Sequence, residues 1–161
     1  LMDFIRDTAP DISFAGACYP EGHPEAESLA ADVANLRHKQ QAGASHLVSQ
    51  LFFDNGKYYR FLNMARKAGV TLPISAGVMP IVRRSQIERT VALSSASLPS
   101  AFTRMISRWQ DDPQSLYQAG IEYAVEQLRD LIEGGADGVH LYAMNDAGVA
   151  AAVYAGIRDL L

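Results

Sequence analysis

Short apolar runs alternate along the chain with longer segments in which apolar residues recur every three or four positions. The runs predict strands that are buried on both faces, and the longer spacing predicts helices that cover them. The predicted strands are residues 12–18, 46–53, 73–78 and 138–143. The predicted helices are residues 25–42, 58–68, 83–94, 98–109, 113–133 and 147–161.

Glycine, proline and aspartate mark the ends of several predicted helices. Gly43 and Gly69 follow helices at the position where a left-handed backbone favours glycine. Pro99 falls in the first turn of one helix, and Asp111 or Asp112 caps the next. These signals agree with the hydrophobic pattern.

The order β-α-β-α-β-α-α-α-β-α predicts parallel βαβ units in a single domain, residues 1–161. Four βα units in 161 residues leave about 40 residues for each, whereas a complete (β/α)8 barrel takes about 250. Half a barrel and a complete small open sheet both fit this length. Residues 1–6 already have helical spacing, which predicts the end of a helix that starts earlier and makes the sequence a candidate fragment.

Composition narrows the class of protein. The chain is 48% hydrophobic and 20% charged, with a net charge of −4 and a pI near 5.5, so neither disorder nor a basic nucleic-acid footprint is predicted. One cysteine, Cys18, excludes an intramolecular disulfide and a cysteine-based zinc site and favours a reducing cytoplasm. No apolar run approaches 18 residues, and charges interrupt residues 1–15, so neither a membrane span nor a signal peptide is predicted.

Polar residues collect where the predicted strands end, which is where both candidate folds bind ligands. Structural alternatives remain open: His23 as a solvated loop residue, Gln50 as a structural amide, and Asp32 with Lys39 as a solvated helix face. The sequence contains no H-E-x-x-H, G-x-S-x-G, Walker or G-x-G-x-x-G motif, and it has no metal-ligand spacing. Cys18 has no adjacent basic residue, so a nucleophilic role is not expected. The strand-end residues are Cys18, Tyr19, Glu21, His23, Gln50, Asp54, Arg83, Arg84, His140, Tyr142, Asn145 and Asp146.

One segment points to a known family. Residues 17–25, Ala-Cys-Tyr-Pro-Glu-Gly-His-Pro-Glu, resemble the A-x-Y-P-E-x-H-P signature of the methylenetetrahydrofolate reductases. The likeness continues in register at residues 32–39 (D-L-x-x-L-x-x-K), 41–44 (x-A-G-A), 49–54 (T-Q-F-F-F-D), 76–80 (P-G-I-M-P) and 140–145 (H-F-Y-T-L-N). The ordered set spans essentially the whole chain, which is therefore identified as a member of this family.

The resemblance implies the C-terminal half of a TIM barrel, strands five to eight. It implies an enzyme of one-carbon metabolism and methionine biosynthesis that binds FAD and reduces methylenetetrahydrofolate to methyltetrahydrofolate with NADH or NADPH. Gln50 would lie near the flavin, where folate and nicotinamide take turns, and Gln86 would meet the folate. By matching motif positions, the residues that contact FAD would be Tyr19, His23, Ala26, Asp32, Asn35 and Lys39.

The chain also departs from the family pattern. The family's catalytic glutamate on strand one and its flavin-tuning aspartate on strand four lie outside this sequence, so no catalytic residue and no metal ligand is expected in this chain. Asp146 stands where many members have an arginine associated with folate. His38 replaces an arginine that often precedes the FAD lysine, and Thr90 replaces an aromatic residue that covers folate in some members.

A half-barrel would have two bare edge strands, so a missing N-terminal half-barrel or a second copy is expected to close it, the latter as a homo-oligomer. The main functional hypothesis is the FAD-dependent reductase. The alternative is a non-catalytic or truncated member that acts as a binding or partner subunit. A flavodoxin-like domain is a third hypothesis. The lack of a phosphate loop after the first strand disfavours it.

Overall fold

The computed structural model describes residues 1–94 and 96–161, apart from the side chains of residue 89 and residues 91–94. Helices in these residues are α1 (Met2–Thr8), α2 (Leu29–Gln41), α3 (Asn55–Lys67), α4 (Arg84–Ser94), α5 (Ser100–Trp109), α6 (Pro113–Glu133) and α7 (Ala147–Ile157), the last followed by a 3-10 turn at Arg158–Leu160. Strands are β1 (Ala15–Cys18), β2 (His46–Ser49), β3 (Ile74–Val78) and β4 (Gly138–Leu141).

The four strands form one parallel sheet in sequence order, β1-β2-β3-β4. Ala15 pairs with His46, Leu47 with Ile74, and Ser75 with Gly138. Consecutive parallel strands with helical crossovers confirm the predicted α/β class and match part of a TIM barrel. Within the described residues, β1 and β4 are the edge strands.

The two faces of the sheet differ in what covers them. One face packs against α2, α3, α6 and α7 around a core that includes Leu36, Leu47, Tyr58, Phe61 and Ile74, all fully buried. Because successive side chains of a strand point to opposite faces, every second residue lies on the other face, which we call the open face. It comprises Ala15, Ala17, His46, Val48, Ser75, Gly77, Gly138 and His140, of which Ala15, Ala17 and His140 are exposed.

The predicted strand 46–53 is too long, because β2 ends at Ser49. The backbone carbonyls of residues 52 and 53 are held by side chains of α6 instead of by a neighbouring strand. Gln127 donates its amide to the Phe52 carbonyl and Tyr123 its hydroxyl to the Phe53 carbonyl, both at 2.9 Å. Phe53 then stacks on Phe102 of α5, which starts a second apolar cluster beyond the sheet.

Side-chain caps set two helix starts that periodicity misplaced. Helix α2 begins at Leu29 and not at residue 25, because the Ser28 hydroxyl accepts a hydrogen bond from the Ala31 N–H. Helix α3 begins three residues before the predicted start, because Asp54 caps it through the Gly56 N–H at 2.9 Å. Both caps satisfy N–H groups that have no partner within the helix.

The two aspartates before α6 have different roles. Asp112 caps the helix by accepting hydrogen bonds from the Gln114 and Ser115 N–H groups. Asp111 instead pairs with Arg84 at 2.5 Å, tying this loop to the start of α4. The choice that the sequence left open is therefore settled in favour of Asp112.

The remaining boundaries differ from prediction by a few residues. Each edge strand is shorter than its apolar run: β1 begins at residue 15 and not at 12, and β4 ends at residue 141 and not at 143. A strand is defined by its ladder, so the unpaired ends of an apolar run do not count as strand. Residues 2–6 are helical, within α1, and Leu1 precedes the helix as its N-cap residue.

Candidate functional site

The loop between β1 and α2 is folded around a histidine. The His23 ring meets the Tyr19 ring edge-to-face, with centroids 4.7 Å apart. The His23 N–H donates to Asp32 Oδ2 at 3.0 Å, and the His23 carbonyl accepts from the Ala26 N–H at 2.9 Å. Its Nδ1 accepts from the Glu25 N–H at 3.2 Å. The first turn of α2 therefore fixes this loop where β1 ends.

Three polar residues at positions i, i+3 and i+7 share one face of α2. Asp32 is only 5% exposed, so the interpretation of this face as solvated is wrong at that position. Lys39 is half-buried; its ammonium donates to the Ala17 carbonyl at 2.6 Å and lies 6.0 Å from the centroid of the Tyr19 ring. Asn35 is exposed between them. The structure thus brings the six predicted FAD residues into one group, which we call the β1–α2 cluster (Tyr19, His23, Ala26, Asp32, Asn35, Lys39).

The β1–α2 cluster offers two kinds of contact to a ligand. Tyr19 and His23 present aromatic rings at the end of the sheet. Lys39 has three ammonium donors and uses one of them on Ala17, which leaves two for an anion beside the exposed amide of Asn35. A cofactor with both an aromatic ring system and phosphate groups fits this donor set.

Cys18 lies next to this cluster but is not available for chemistry. Its side chain is fully buried, and burial raises the pKa of its thiol to about 12 even though the Lys39 charge acts in the opposite direction. A thiol with so high a pKa forms almost no thiolate near neutral pH. The expectation that Cys18 is not a nucleophile agrees with this burial.

Gln50 comes directly after β2, beside the cluster. Its backbone N–H donates to the Cys18 carbonyl at 2.7 Å, and its side-chain oxygen accepts the Leu51 N–H at 3.0 Å. An N–H group can donate only to the oxygen of the amide, which places the amide nitrogen on the other side. Gln50 is half-buried, and these two hydrogen bonds orient its backbone and its side chain.

Tyr142, one of the polar residues at the predicted strand ends, also lies here with Ser49, and the sequence predicted a ligand contact for neither of them. The Tyr142 hydroxyl donates to the Ser49 carbonyl at 2.8 Å, and burial raises the pKa of that hydroxyl. His140 meets the Tyr142 ring with centroids 4.6 Å apart. The sequence signal was Gly77, because a glycine inside a strand indicates that another group approaches the backbone closely.

Gln86 lies at the start of α4, beyond β3. Its side-chain oxygen accepts the N–H groups of Val82 and Arg83, both at 2.9 Å. These bonds tie the amide to the β3–α4 loop. The structure therefore places Gln86 at the carboxyl end of β3, apart from the β1–α2 cluster, with its amide nitrogen remaining for a ligand.

Asp146 is the N-cap residue of α7 and joins this helix to the loop between β3 and α4. Its carboxylate accepts the Val149 N–H at 3.1 Å and pairs with the guanidinium of Arg83. The Val149 bond, followed by the Arg83 charge, holds the pKa of this carboxyl below its usual value. Asp146, which stands where many family members have an arginine, thus holds a different arginine, Arg83, at the same end of the sheet.

We expect Asp146→Ala to lower the melting temperature by about 2–4 °C, because α7 loses its N-cap. Asp146→Asn should lose far less, since its amide oxygen still accepts the Val149 N–H although the charge pair with Arg83 is gone. Thermal unfolding followed by circular dichroism compares the two variants. Equal losses in both would contradict a capping role and assign the effect to the ion pair.

The other two departures from the family pattern lie on helices. His38 is exposed in the last turn of α2, next to Lys39. Thr90 is 5% exposed in α4.

Two further kinds of feature are absent from residues 1–94 and 96–161. No helix there is both long and apolar enough to cross a membrane. No three histidine, cysteine, aspartate or glutamate side chains there are grouped so as to hold a metal ion.

Comparison with known proteins gives one consistent family. The family model for methylenetetrahydrofolate reductase matches residues 1–158. The chain is 32% identical over 153 residues to a 5,10-methylenetetrahydrofolate reductase of Pectobacterium carotovorum, covering 95% of this chain and 51% of that protein. It is 36% identical over 151 residues to a probable methylenetetrahydrofolate reductase (NADPH) of Caenorhabditis elegans, covering 93% of this chain and 22% of that protein. The chain thus spans about half the length of the bacterial relative and less of the animal one.

A solved structure supports the fold independently. A protein from Clostridium thermocellum, described as binding two copies of 5-methyl-5,6,7,8-tetrahydrofolic acid, superposes with a TM-score of 0.65 at 15% sequence identity. The match covers 99% of this chain and 58% of that one. The likeness shows that the fold is shared, and the chain again corresponds to part of a larger structure.

Proposed function

Because this chain belongs to the methylenetetrahydrofolate reductase family, we propose that it supplies part of the FAD and folate site of an enzyme that reduces methylenetetrahydrofolate to methyltetrahydrofolate with NAD(P)H. The observation that supports this proposal best is the β1–α2 cluster at the carboxyl ends of the strands. It combines aromatic rings with a cation whose donors are only partly used. Its place agrees with the rule that ligands of such sheets bind at that end.

The residues of the cluster divide into groups with different roles under this proposal. Lys39 and Asn35 hold the phosphates of FAD, Lys39 as a point charge. Tyr19 and His23 pack against its ring or sugar portion. Asp32 acts on the loop by holding the His23 backbone. Ala26 lies in the same loop and contacts the cofactor there.

Substrate contacts are assigned to two glutamines. Gln50 donates a hydrogen bond to the folate or to the nicotinamide, whichever is present, and Gln86 contacts the folate. A bound flavin would supply the two-electron chemistry, which protein side chains lack. The proton donor is assigned to a part of the barrel outside residues 1–161, so residues 1–161 position ligands and donate no proton to them.

The open face and the two edge strands need a partner. Unpaired edge strands are templates for other strands, and exposed Ala15, Ala17 and His140 lie on a face that would line the interior of a closed barrel. We propose that an N-terminal half-barrel or a second copy of this chain, as a homo-oligomer, completes it. The acidic net charge of −4 does not favour nucleic acid as a partner, and the reducing cytoplasm is the proposed location.

The alternative function is a family member that binds or assists without catalysis. Asp146 favours it, because a carboxylate occupies the position of an arginine that the family associates with folate. Arg83 offers a cation nearby, which weakens that objection. Catalytic turnover decides between the two functions.

The test is a flavin titration followed by an assay of NAD(P)H oxidation with methylenetetrahydrofolate. It uses the protein as its gene encodes it, so that any segment outside residues 1–161 is present. Flavin binding together with folate-dependent oxidation is the expected result. Flavin binding without oxidation would favour the non-catalytic alternative. A folded protein that leaves flavin absorbance and fluorescence unchanged would overturn the flavoprotein proposal.

A further inference from the structure

The end of β2 is held by side chains where the strand ladder stops. Ser49 is fully buried, and its hydroxyl accepts the Gly77 N–H at 2.8 Å and donates to the Gln50 carbonyl at 2.9 Å. This one hydroxyl therefore connects β3 to the peptide that carries Gln50. Its own backbone carbonyl remains for another donor.

Tyr142 supplies that donor from just beyond β4, across the intervening strand β3. Its hydroxyl lies 2.8 Å from the Ser49 carbonyl oxygen. The side chain passes directly over Gly77, where an added Cβ would lie 2.7 Å from Tyr142 Cε2 and 2.3 Å from the Ser49 oxygen. Glycine is required here by this crossing. We call Tyr142, Ser49 and Gly77 the strand clamp.

The strand clamp leaves Gln50 one free polar group. The Gln50 N–H is bonded to Cys18, its carbonyl to Ser49, and its side-chain oxygen to the Leu51 N–H. The remaining group is the side-chain NH2, which only donates. The site therefore presents a fixed donor at the carboxyl end of β2.

We propose that Tyr142 is a positioning residue, which acts through Ser49 to fix Gln50 so that its amide donates to an acceptor atom of the substrate. The inference rests on the proposed function, in which Gln50 meets two ligands in turn. A nicotinamide and a pterin each carry a carbonyl oxygen, so the same donor serves both. Tyr142 itself touches neither ligand.

The first test is Tyr142→Phe, which keeps the ring over Gly77 and removes the hydroxyl. Loss of one hydrogen bond worth about 1–2 kcal/mol converts to a fall of roughly 5- to 30-fold in kcat/KM. We expect this fall with NAD(P)H and with the folate, while FAD affinity changes less than about twofold. Tyr154→Phe is the matched control, because Tyr154 is exposed on α7. A lowered FAD affinity with unchanged turnover of the bound enzyme would overturn the assignment.

A double-mutant cycle shows whether Tyr142 acts through Gln50. In a Gln50→Ala background, Tyr142→Phe should cause no further loss, because the group that it positions is gone. Losses that multiply would mean that Tyr142 acts independently of Gln50, and the inference would fail.

Nuclear magnetic resonance of the Gln50 side-chain amide tests the strand clamp without measuring turnover. Its two NH2 signals are assigned by their absence in Gln50→Ala. Tyr142→Phe should shift these signals. Ser49→Ala should shift them too, because it removes the hydroxyl that bonds the Gln50 carbonyl, although it keeps the backbone carbonyl that Tyr142 reaches. Tyr154→Phe should leave them unchanged. Unchanged signals in both variants would overturn the inference even in an active enzyme. Shifted signals in a protein without reductase activity would support the clamp and refute the proposed function.

Discussion

Gly120→Ala is expected to lower the free energy of unfolding by about 3 kcal/mol or more, the largest effect that we predict for a single methyl group. Gly120 lies in the middle of α6, where alanine would normally be the better residue by about 0.5–1 kcal/mol. Here an added Cβ would lie 2.0 Å from the carbonyl oxygen of Ile81 and 2.8 Å from its carbon. Both are backbone atoms, so no side chain can move aside.

The expected loss of stability follows from the close packing of α6 against the backbone at Ile81. Ile81 is 2% exposed and belongs to the second apolar cluster with Phe102 and Leu116. Moving α6 away from the backbone at Ile81 would open this cluster. It would also strain the bonds by which Tyr123 and Gln127 of α6 hold the chain after β2.

Urea unfolding followed by circular dichroism measures this change. Gly148→Ala is the matched control, because Gly148 lies in α7 and the nearest atom to its added Cβ is a side-chain oxygen of Asp146, at 3.3 Å. This control variant should lose little stability or gain some. A loss below about 1 kcal/mol in Gly120→Ala would show that α6 moves away at little cost, contrary to the packing described.

Lys39→Met is expected to weaken FAD binding roughly 10- to 100-fold, because a hydrogen bond to a charged group contributes about 1.5–3 kcal/mol. Methionine keeps most of the apolar stem beside Gly16, while the ammonium and its approach to the Tyr19 ring are lost. The released Ala17 carbonyl lies on an edge strand and remains accessible to water. The loss should shrink as salt concentration rises, since salt screens the charge in the wild type.

Flavin fluorescence titration measures the affinity, with two controls. Lys57→Met removes an exposed lysine of α3 and should leave FAD affinity unchanged. Lys39→Arg keeps the charge but not the compact point donor, and should recover part of the affinity. Equal FAD affinity in Lys39→Met and the wild type would remove Lys39 from the cofactor site.

The family and the fold class were both predicted from the sequence and are confirmed. The motif order is a property of the chain itself, and hydrophobic periodicity reports each element locally, so neither needs tertiary information. The roles of the predicted site residues stay predictions. The structure adds that Tyr19, His23, Asp32 and Lys39 lie close enough to act together.

The sequence pattern gave wrong predictions where the hydrogen-bond partner of a segment lies outside that segment. Residues 51–53 have the apolar character of a strand, but the carbonyls of residues 52 and 53 are held by Gln127 and Tyr123, 75 and 70 positions later in the sequence. The burial of Asp32 was likewise missed, because its partner is the backbone of a loop residue, His23. Spacing along one helix does not report such contacts.

The sequence by itself determined the order of the elements, the parallel sheet and the family, because these follow from local periodicity and from motifs read along the chain. Only the tertiary structure decided that Tyr142 crosses Gly77 to reach Ser49, that Arg83 meets Asp146, and where β2 ends. Each of these depends on which strands and helices become neighbours. Hydrogen bonds between groups far apart in the chain form only once the sheet has brought those groups together.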